Sequence, residues 1–270
     1  MIDLMGLNFR VQGPLAEEET LKAGSPSAPV VLLHGLFGSM ENLGVLARDL
    51  APRAKVYSVD LPNHGRSPHT AAMSLSSLAQ ALLEWLDEQA IDRASFVGHS
   101  LGGKVAMELA LMAPERCRKL AVIDIAPVRY EPHHAAVFEG LLAINPAALT
   151  SRSDADSQLK TYVPALPVRS FLLKNLQKTD AGYAWRMNLP VLRDTYPALI
   201  EANRQPSVPF DGEVLFVKGG DSSYILEEHR DAIQSRFPHA KLRIVAGTGH
   251  WLHAEKPEHL GRILNRFLTA

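Results

Sequence analysis

The segment Gly98–Gly102, which reads G-H-S-L-G, has the residue types and spacing of a turn that exposes a nucleophilic serine. A short β-rich run, Ala94–Val97, precedes it, and apolar residues at helical spacing follow from Lys104 to Met112. On so tight a strand-to-helix turn, the Ser100 hydroxyl is pushed out of the fold and the glycines leave room for neighbouring backbone. Because the pattern arises by chance about 0.1 times in a chain of this length, the residues that could assist Ser100 decide the argument.

A serine hydroxyl is a weak nucleophile that needs a base, and the base needs an acid to orient it. The G-x-S-x-G pattern predicts the chain order serine, acid, histidine. We predict that His250 is the base, because it follows the last predicted strand, where catalytic loops lie in such sheets. His253 is the competing histidine, although we expect it to start the next helix or to pack locally.

Two aspartates follow predicted strands and qualify as the acid. Asp124 ends the run Leu120–Ile123, and Asp221 follows the next strand. From the residues alone, either side chain can orient His250. Each also fits a structural role, as a strand-end turn residue or an Asx turn after two glycines.

Backbone amides are expected to hold the negative charge that develops on the substrate oxygen. His34 and Gly35 follow the first parallel strand, and a glycine there lets the backbone approach the serine. The amides of Leu36 and Leu101 can then both face the oxyanion, and such donors contribute about 3 kcal/mol each.

Short apolar runs alternate with helical patterns, which predicts an α/β fold with a mostly parallel twisted sheet and helices on both faces. The runs are Val30–His34, Lys55–Asp60, Ala94–Val97, Leu120–Ile125, Val214–Lys218 and Leu242–Ala246, with Asn8–Gln12 as an edge strand. The alternation breaks between residues 127 and 208, where the text is helical, irregular and punctuated by prolines. We therefore predict a core of residues 1–126 and 209–270, and a helical lid of residues 127–208 over the strand ends. Its apolar stretches Val137–Leu142 and Phe171–Leu176 could line an acyl pocket.

Composition excludes several classes of protein. The 270 residues include 28 Lys and Arg and 29 Asp and Glu, which gives a net charge of −1. No basic surface for nucleic acid is therefore expected. No apolar stretch reaches the roughly 18 residues of a membrane span, and the N-terminus lacks a signal-peptide pattern. The only cysteine, Cys117, excludes an internal disulfide and fits a reducing compartment. We expect a cytoplasmic protein that is a monomer or weak dimer. No metal site is expected, since His133 and His134 lack the spacing of a zinc site.

Several longer motifs resemble the α/β-hydrolase superfamily along nearly the whole chain. The motifs are His34–Ser39 (H-G-L-F-G-S), Asp60–Ser67 (D-L-P-N-H-G-R-S), Gly98–Gly103 (G-H-S-L-G-G) and Gly249-His250. Within the superfamily, Asn63–Ser67 (N-H-G-R-S), Val122–Pro127 (V-I-D-I-A-P) and Gly249–Pro257 (G-H-W-L-H-A-E-K-P) are similar to the YbfF-type esterases and their mitochondrial relatives.

This resemblance implies a serine hydrolase without a cofactor, and it favours Asp124 as the acid. In the wider superfamily the acid more often follows the next strand, but that register falls on Ser222 and not on Asp221. We expect Ser222 to form a hydrogen bond near His250, and His34, Gly35, His99 and Ser222 to support the site. The predicted reaction is hydrolysis of small-molecule esters with small to medium acyl groups through an acyl-enzyme.

Two other functions are possible for the same residues, and a third fits them poorly. Acyl thioesters could be cleaved by the same triad, and a hydrolase fold can also be retained for ligand binding without catalysis. Gly98–Lys104 also fits G-x-x-x-x-G-K, but a P-loop needs Ser or Thr next, where this chain has Val105.

Overall fold

A seven-stranded sheet forms the centre of the computed structural model, which describes residues 6–13, 28–180 and 182–269. Its strands, in chain order, are β1 (Phe9–Gln12), β2 (Val30–Leu33), β3 (Val56–Val59), β4 (Ala94–His99), β5 (Cys117–Ile123), β8 (Glu213–Gly219) and β9 (Ala240–Val245). Their order in the sheet is β1-β3-β2-β4-β5-β8-β9; β1 pairs with β3 in antiparallel register and all other pairs are parallel. The predicted mostly parallel sheet is confirmed. Most of the N-terminal segment considered for a signal peptide lies outside the described residues.

Helices cover both faces of this sheet. In chain order, the α-helices that the structure describes are α1 (Gly44–Leu50), α2 (Leu75–Glu88), α3 (Leu101–Met112), α4 (Ala135–Ala143), α5 (Arg152–Leu159), α6 (Leu166–Leu172), α7 (Leu189–Leu199), α8 (Arg230–Gln234), α9 (Leu252–Glu255) and α10 (Pro257–Thr269). Every residue of β2 is buried, and its side chains alternate between two cores. Val31 and Leu33 pack on the side of α2 and α3, whereas Val30 and Leu32 pack on the side of α1 and α10. A strand covered on both faces is apolar throughout, which explains the uninterrupted runs in the sequence.

Residues 127–208 contain helices α4 to α7 and an antiparallel hairpin, β6 (Leu176–Thr179) with β7 (Gly182–Trp185). The prediction of a helical segment missed this hairpin. Its strands have four residues each, and β6 has one buried residue followed by three exposed ones. So short a stretch shows neither the alternation nor the apolar run by which a strand is recognised.

Helix α3 holds both ends of this segment through Lys104. Its ammonium donates hydrogen bonds to the carbonyl oxygens of Val128 at 2.8 Å and Glu201 at 2.6 Å, at the two junctions with the core. Burial lowers the pKa of Lys104 to about 7. The lysine that a P-loop would direct at phosphates is therefore used here to join two backbone segments.

A second polar group on α3 strengthens the same junction. The buried Glu108 carboxylate accepts hydrogen bonds from the Asn203 amide at 3.0 Å and the Arg204 guanidinium at 2.8 Å. Asn203 also donates to the backbone oxygen of Lys104 at 2.8 Å. In the part of the chain that the structure describes, no helix has the length and apolar character needed to cross a membrane.

Candidate active site

Ser100 lies in the turn between β4 and α3 with a φ of 53° and a ψ of −118°. This is an unfavourable conformation for a residue with a side chain, and the surrounding packing has to maintain it. A Cβ on Gly98 would lie 2.2 Å from the Gly102 carbonyl oxygen, and a Cβ on Gly102 would lie 2.2 Å from the Leu33 carbonyl oxygen. Both positions therefore require glycine, as the sequence motif predicts.

Asp124 and His250 are joined by a hydrogen bond of 2.8 Å between Oδ2 and Nδ1. Asp124 follows β5, is fully buried, and has a φ of 52°. Its Oδ1 accepts the Gly219 backbone N–H at 2.9 Å, and the Ser222 hydroxyl donates to Oδ2. These donors satisfy a carboxylate that burial would otherwise penalise. Because Nδ1 of a neutral His250 carries the proton in this bond, Nε2 is left as an acceptor.

Asp221, the alternative acid, has a different environment. It is exposed, and its backbone N–H donates to the Thr248 carbonyl oxygen at 2.9 Å. The structure thus brings Asp124 rather than Asp221 to the imidazole. The neighbouring Ser222 donates a hydrogen bond to Oδ2 of Asp124, the same oxygen that is bonded to His250. A hydrogen bond of Ser222 near His250 was expected from the sequence.

His99 supports the loop that carries His250. Its Nε2 lies 2.8 Å from the backbone carbonyl oxygen of His250, and its ring centroid lies 4.3 Å from that of His253. Burial places the pKa of His99 well below its ordinary value, so a neutral ring donates this bond from Nε2. His253 is buried in α9 against His99, in agreement with the local packing expected of it.

The turn after β2 approaches the serine closely. A Cβ on Gly35 would lie 3.3 Å from the Ser100 Cβ and 3.1 Å from Nδ1 of His99, so a side chain there would crowd both residues. The fully buried His34 accepts the Leu61 N–H at Nε2, at 3.1 Å, and donates from Nδ1 to the Gly35 carbonyl oxygen at 2.9 Å. Burial lowers the pKa of His34, which keeps the ring in this neutral form.

Ser100 and His250 both line one cavity of about 370 Å³. Leu36 also lines it, and Leu101 is the first residue of α3, where backbone N–H groups have no acceptor within the helix. Residues 127–208 contribute His133, His134, Val137, Val168, Phe171 and Leu172. From the predicted apolar stretches, Val137, Phe171 and Leu172 therefore reach the cavity, whereas Phe138 and Leu141 are buried in the core.

Sequence analysis missed two aromatic residues of the cavity. Tyr224 stacks on the His250 imidazole with a centroid distance of 3.8 Å and an angle of 19°. The Trp251 ring lies 5.8 Å from that of Phe171, between the two parts of the chain. Trp251 lies within the motif Gly249–Pro257 but was given no role there. Tyr224 belongs to no motif, but it follows the carboxyl end of β8, where site residues collect in such sheets. Among the described residues, no group of three or more His, Cys, Asp or Glu side chains is arranged to hold a metal ion.

The chain is similar to proteins of one family over nearly its whole length. Residues 28–257 match the profile of the family described as alpha/beta hydrolase fold. Esterase YbfF of Escherichia coli is 40% identical over 266 residues, which cover 98% of this chain and 100% of that protein. The mouse protein named sn-1-specific diacylglycerol lipase ABHD11 is 35% identical over 265 residues, 95% of this chain and 86% of that protein.

A solved structure agrees with these sequence matches. The structure named Marine microorganism esterase is 33% identical and has a TM-score of 0.91, over 97% of this chain and 99% of that one. The chain belongs to the α/β-hydrolase family, within its group of YbfF-type esterases.

Proposed function

We propose that this chain hydrolyses carboxylic esters through an acyl-enzyme formed on Ser100. The observation that carries the proposal is the hydrogen bond between buried Asp124 and His250, beside a cavity that His250 and Ser100 both line. A carboxylate, an imidazole and a serine hydroxyl in this order form the set that activates a serine for acyl transfer. The similarity to proteins named esterases supports the same reaction.

In the acylation step, the Ser100 Oγ attacks the acyl carbon while Nε2 of His250 takes the hydroxyl proton. Asp124 keeps the proton on Nδ1 and stabilises the imidazolium. The backbone N–H groups of Leu36 and Leu101 hold the oxyanion. His250 then gives its proton to the leaving alcohol, and a water molecule repeats the sequence on the acyl-enzyme to release the carboxylic acid.

The cavity supports a small-molecule substrate with a small to medium acyl group. Its volume of about 370 Å³ is near the lower end of the roughly 300–1,000 Å³ found for ligand pockets. We infer that residues 127–208 act as a lid, because they contribute Val137, Val168, Phe171 and Leu172 to the wall of the cavity that Ser100 also lines. The single, buried Cys117 supports a reducing compartment such as the cytoplasm. For the assembly we keep the expectation of a monomer or weak dimer.

Hydrolysis of p-nitrophenyl esters with increasing acyl length tests this proposal. Wild type is compared with Ser100→Ala and with Ser223→Ala, a control on an exposed serine. We expect turnover to peak at short or medium chains and to fall by about 10⁴-fold or more in Ser100→Ala alone. Equal turnover in Ser100→Ala would contradict the role of this serine. A wild type that neither turns over esters or thioesters nor reacts with a fluorophosphonate would indicate a binding protein.

A further inference from the structure

The ring of Tyr224 contacts both the proposed base and the proposed lid. One face of the ring is stacked on the imidazole of His250, at a centroid distance of 3.8 Å and an angle of 19°. Its hydroxyl lies 2.6 Å from Nε2 of His133, which belongs to residues 127–208 and lines the same cavity. No motif in the sequence accounts for a tyrosine in this position.

Two hydrogen bonds fix the backbone of Tyr224, and a third ties one of its partners to the loop after β5. Its N–H donates to the Ser222 hydroxyl oxygen at 3.2 Å, and its carbonyl oxygen accepts the Tyr130 hydroxyl at 2.6 Å. The same Tyr130 oxygen accepts the Ala126 N–H at 2.8 Å, two residues after Asp124. The place of the Tyr224 ring is thus tied to the loops that carry Asp124 and its hydrogen-bond partner Ser222.

The direction of the bond between Tyr224 and His133 follows from the second nitrogen of the histidine. Nδ1 of His133 lies 3.0 Å from the Glu131 carbonyl oxygen, which has no proton to give. Nδ1 of a neutral His133 therefore carries the hydrogen, and Nε2 accepts the proton of the Tyr224 hydroxyl. A phenol that donates its proton is richer in electrons, and an electron-rich ring face attracts a cation more strongly.

We propose that Tyr224 is a positioning residue for the base: its ring holds the His250 imidazole flat and stabilises the imidazolium that forms when Ser100 loses its proton. This inference rests on the proposed ester hydrolysis. The hydroxyl of Tyr224 also holds His133 through their hydrogen bond. One side chain therefore positions both the base and a residue in the wall of the substrate cavity.

Several other titratable groups near His250 can affect the acid limb of kcat/KM. They are Asp124 on β5's loop, His99 at the end of β4, His134 from residues 127–208, His253 in α9, and Glu255, which accepts the Gly249 N–H. Burial lowers the pKa of His134 and of His253 to about 4, and lowers that of His99 as well. Replacement of Tyr224 removes none of these groups, so a shift of the acid limb reports on the lost ring contact.

The test compares Tyr224→Leu, which loses the ring, with Tyr224→Phe, which loses only the hydroxyl. In Tyr224→Leu we expect kcat to fall about 10- to 100-fold, a larger factor than the rise in KM, because the base is less well oriented. We also expect the acid limb of kcat/KM to move about half a pH unit lower, as an imidazolium that has lost a cation–π contact releases its proton more easily. Tyr224→Phe keeps the ring and should restore most of the acid limb and most of kcat. Tyr162→Leu, a tyrosine that does not line the cavity, controls for general destabilisation.

The link to residues 127–208 is tested by a double-mutant cycle of Tyr224→Phe and His133→Leu. Since either change removes the same hydrogen bond, we expect the KM of the double variant to equal that of the single variants. Additive effects would overturn the link, and an unchanged acid limb and kcat in Tyr224→Leu would overturn the positioning role. Both results are read against an active wild type and an inactive Ser100→Ala, so they are distinct from a failure of the proposed hydrolysis.

Discussion

The reacting groups and residues 127–208 are held in place by different means. At the carboxyl edge of the sheet, the backbone itself positions the reacting groups. Ser100 and Asp124 have positive φ values, and Gly98 and Gly102 pack too tightly for any Cβ. Residues 127–208 are held at their junctions by side chains instead, chiefly Lys104 and Glu108.

This difference separates two functions that a hydrolase has to combine. Strained backbone costs about 1–3 kcal/mol per residue and persists only where packing leaves no alternative, so the geometry at Ser100 is rigid. Side-chain bonds to backbone carbonyls can be replaced by many other residues. We therefore expect the sheet edge to determine whether an ester is cleaved, and residues 127–208 to determine which ester is cleaved.

The largest effect is expected where the two candidate acids are compared. In Asp124→Asn the amide nitrogen would donate to Nδ1, leaving the proton on Nε2, where the base must accept one. We predict a loss of about 10³- to 10⁴-fold in kcat. Asp221→Asn, on an exposed side chain, should stay within about twofold of wild type. The measurement is kcat for one good p-nitrophenyl ester, and the reverse ranking would assign the acid to Asp221.

The second prediction concerns the backbone at the sheet edge. Gly102→Ala forces a Cβ to within 2.2 Å of the Leu33 carbonyl oxygen, so we expect a stability loss of about 1–3 kcal/mol together with lost activity. Gly44→Ala is the matched control, since its helical φ of −61° and the open space around it suit alanine. That change should raise stability by about 0.4–1 kcal/mol. Urea unfolding measures both, and equal effects would refute the argument from backbone packing.

The smallest effect on activity is expected at the junctions of residues 127–208. Burial lowers the pKa of Lys104 from 10.5 to about 7, so between these values the unfolded chain binds more protons than the folded one. The free energy of unfolding should therefore rise with pH from about 7 to about 10.5, and the penalty should be complete below that window. Lys104→Met should remove this rise and increase KM more than it lowers kcat. The free energy of unfolding is measured by urea denaturation at several pH values in this range. A rise with pH that is the same in wild type and Lys104→Met would contradict the prediction.

Backbone restraints could be predicted from the sequence more readily than side-chain contacts. The strands and the turn at Ser100 follow from local rules, because apolar runs and glycine spacing report directly on burial and close backbone approach. The acid could not be chosen from the residues alone, since Asp124 and Asp221 both follow strands; they differ in burial and in the loop that carries them. Only the folded structure shows that Asp124 lies beside His250. The catalytic roles of Ser100, Asp124 and His250 stay predictions.

The contacts of residues 127–208 were out of reach for a related reason. Lys104 was given a chemical role only in a phosphate motif that Val105 argues against, and its two carbonyl acceptors are 24 and 97 residues away in the chain. The short hairpin β6–β7 carries no periodic signal. Tyr224 could have been noted as a residue after a strand end, but its stacking on His250 depends on the tertiary fold.

The most direct test of the central claim is to trap the acyl-enzyme. Wild type and Ser100→Ala are mixed with a p-nitrophenyl ester, quenched in acid during the first turnovers, digested and mapped by mass spectrometry. We expect an acyl group on the peptide that contains Ser100, formed with the burst of p-nitrophenol and absent from the variant. Turnover with the acyl group on another residue, or with Ser100 replaced, would contradict this expectation.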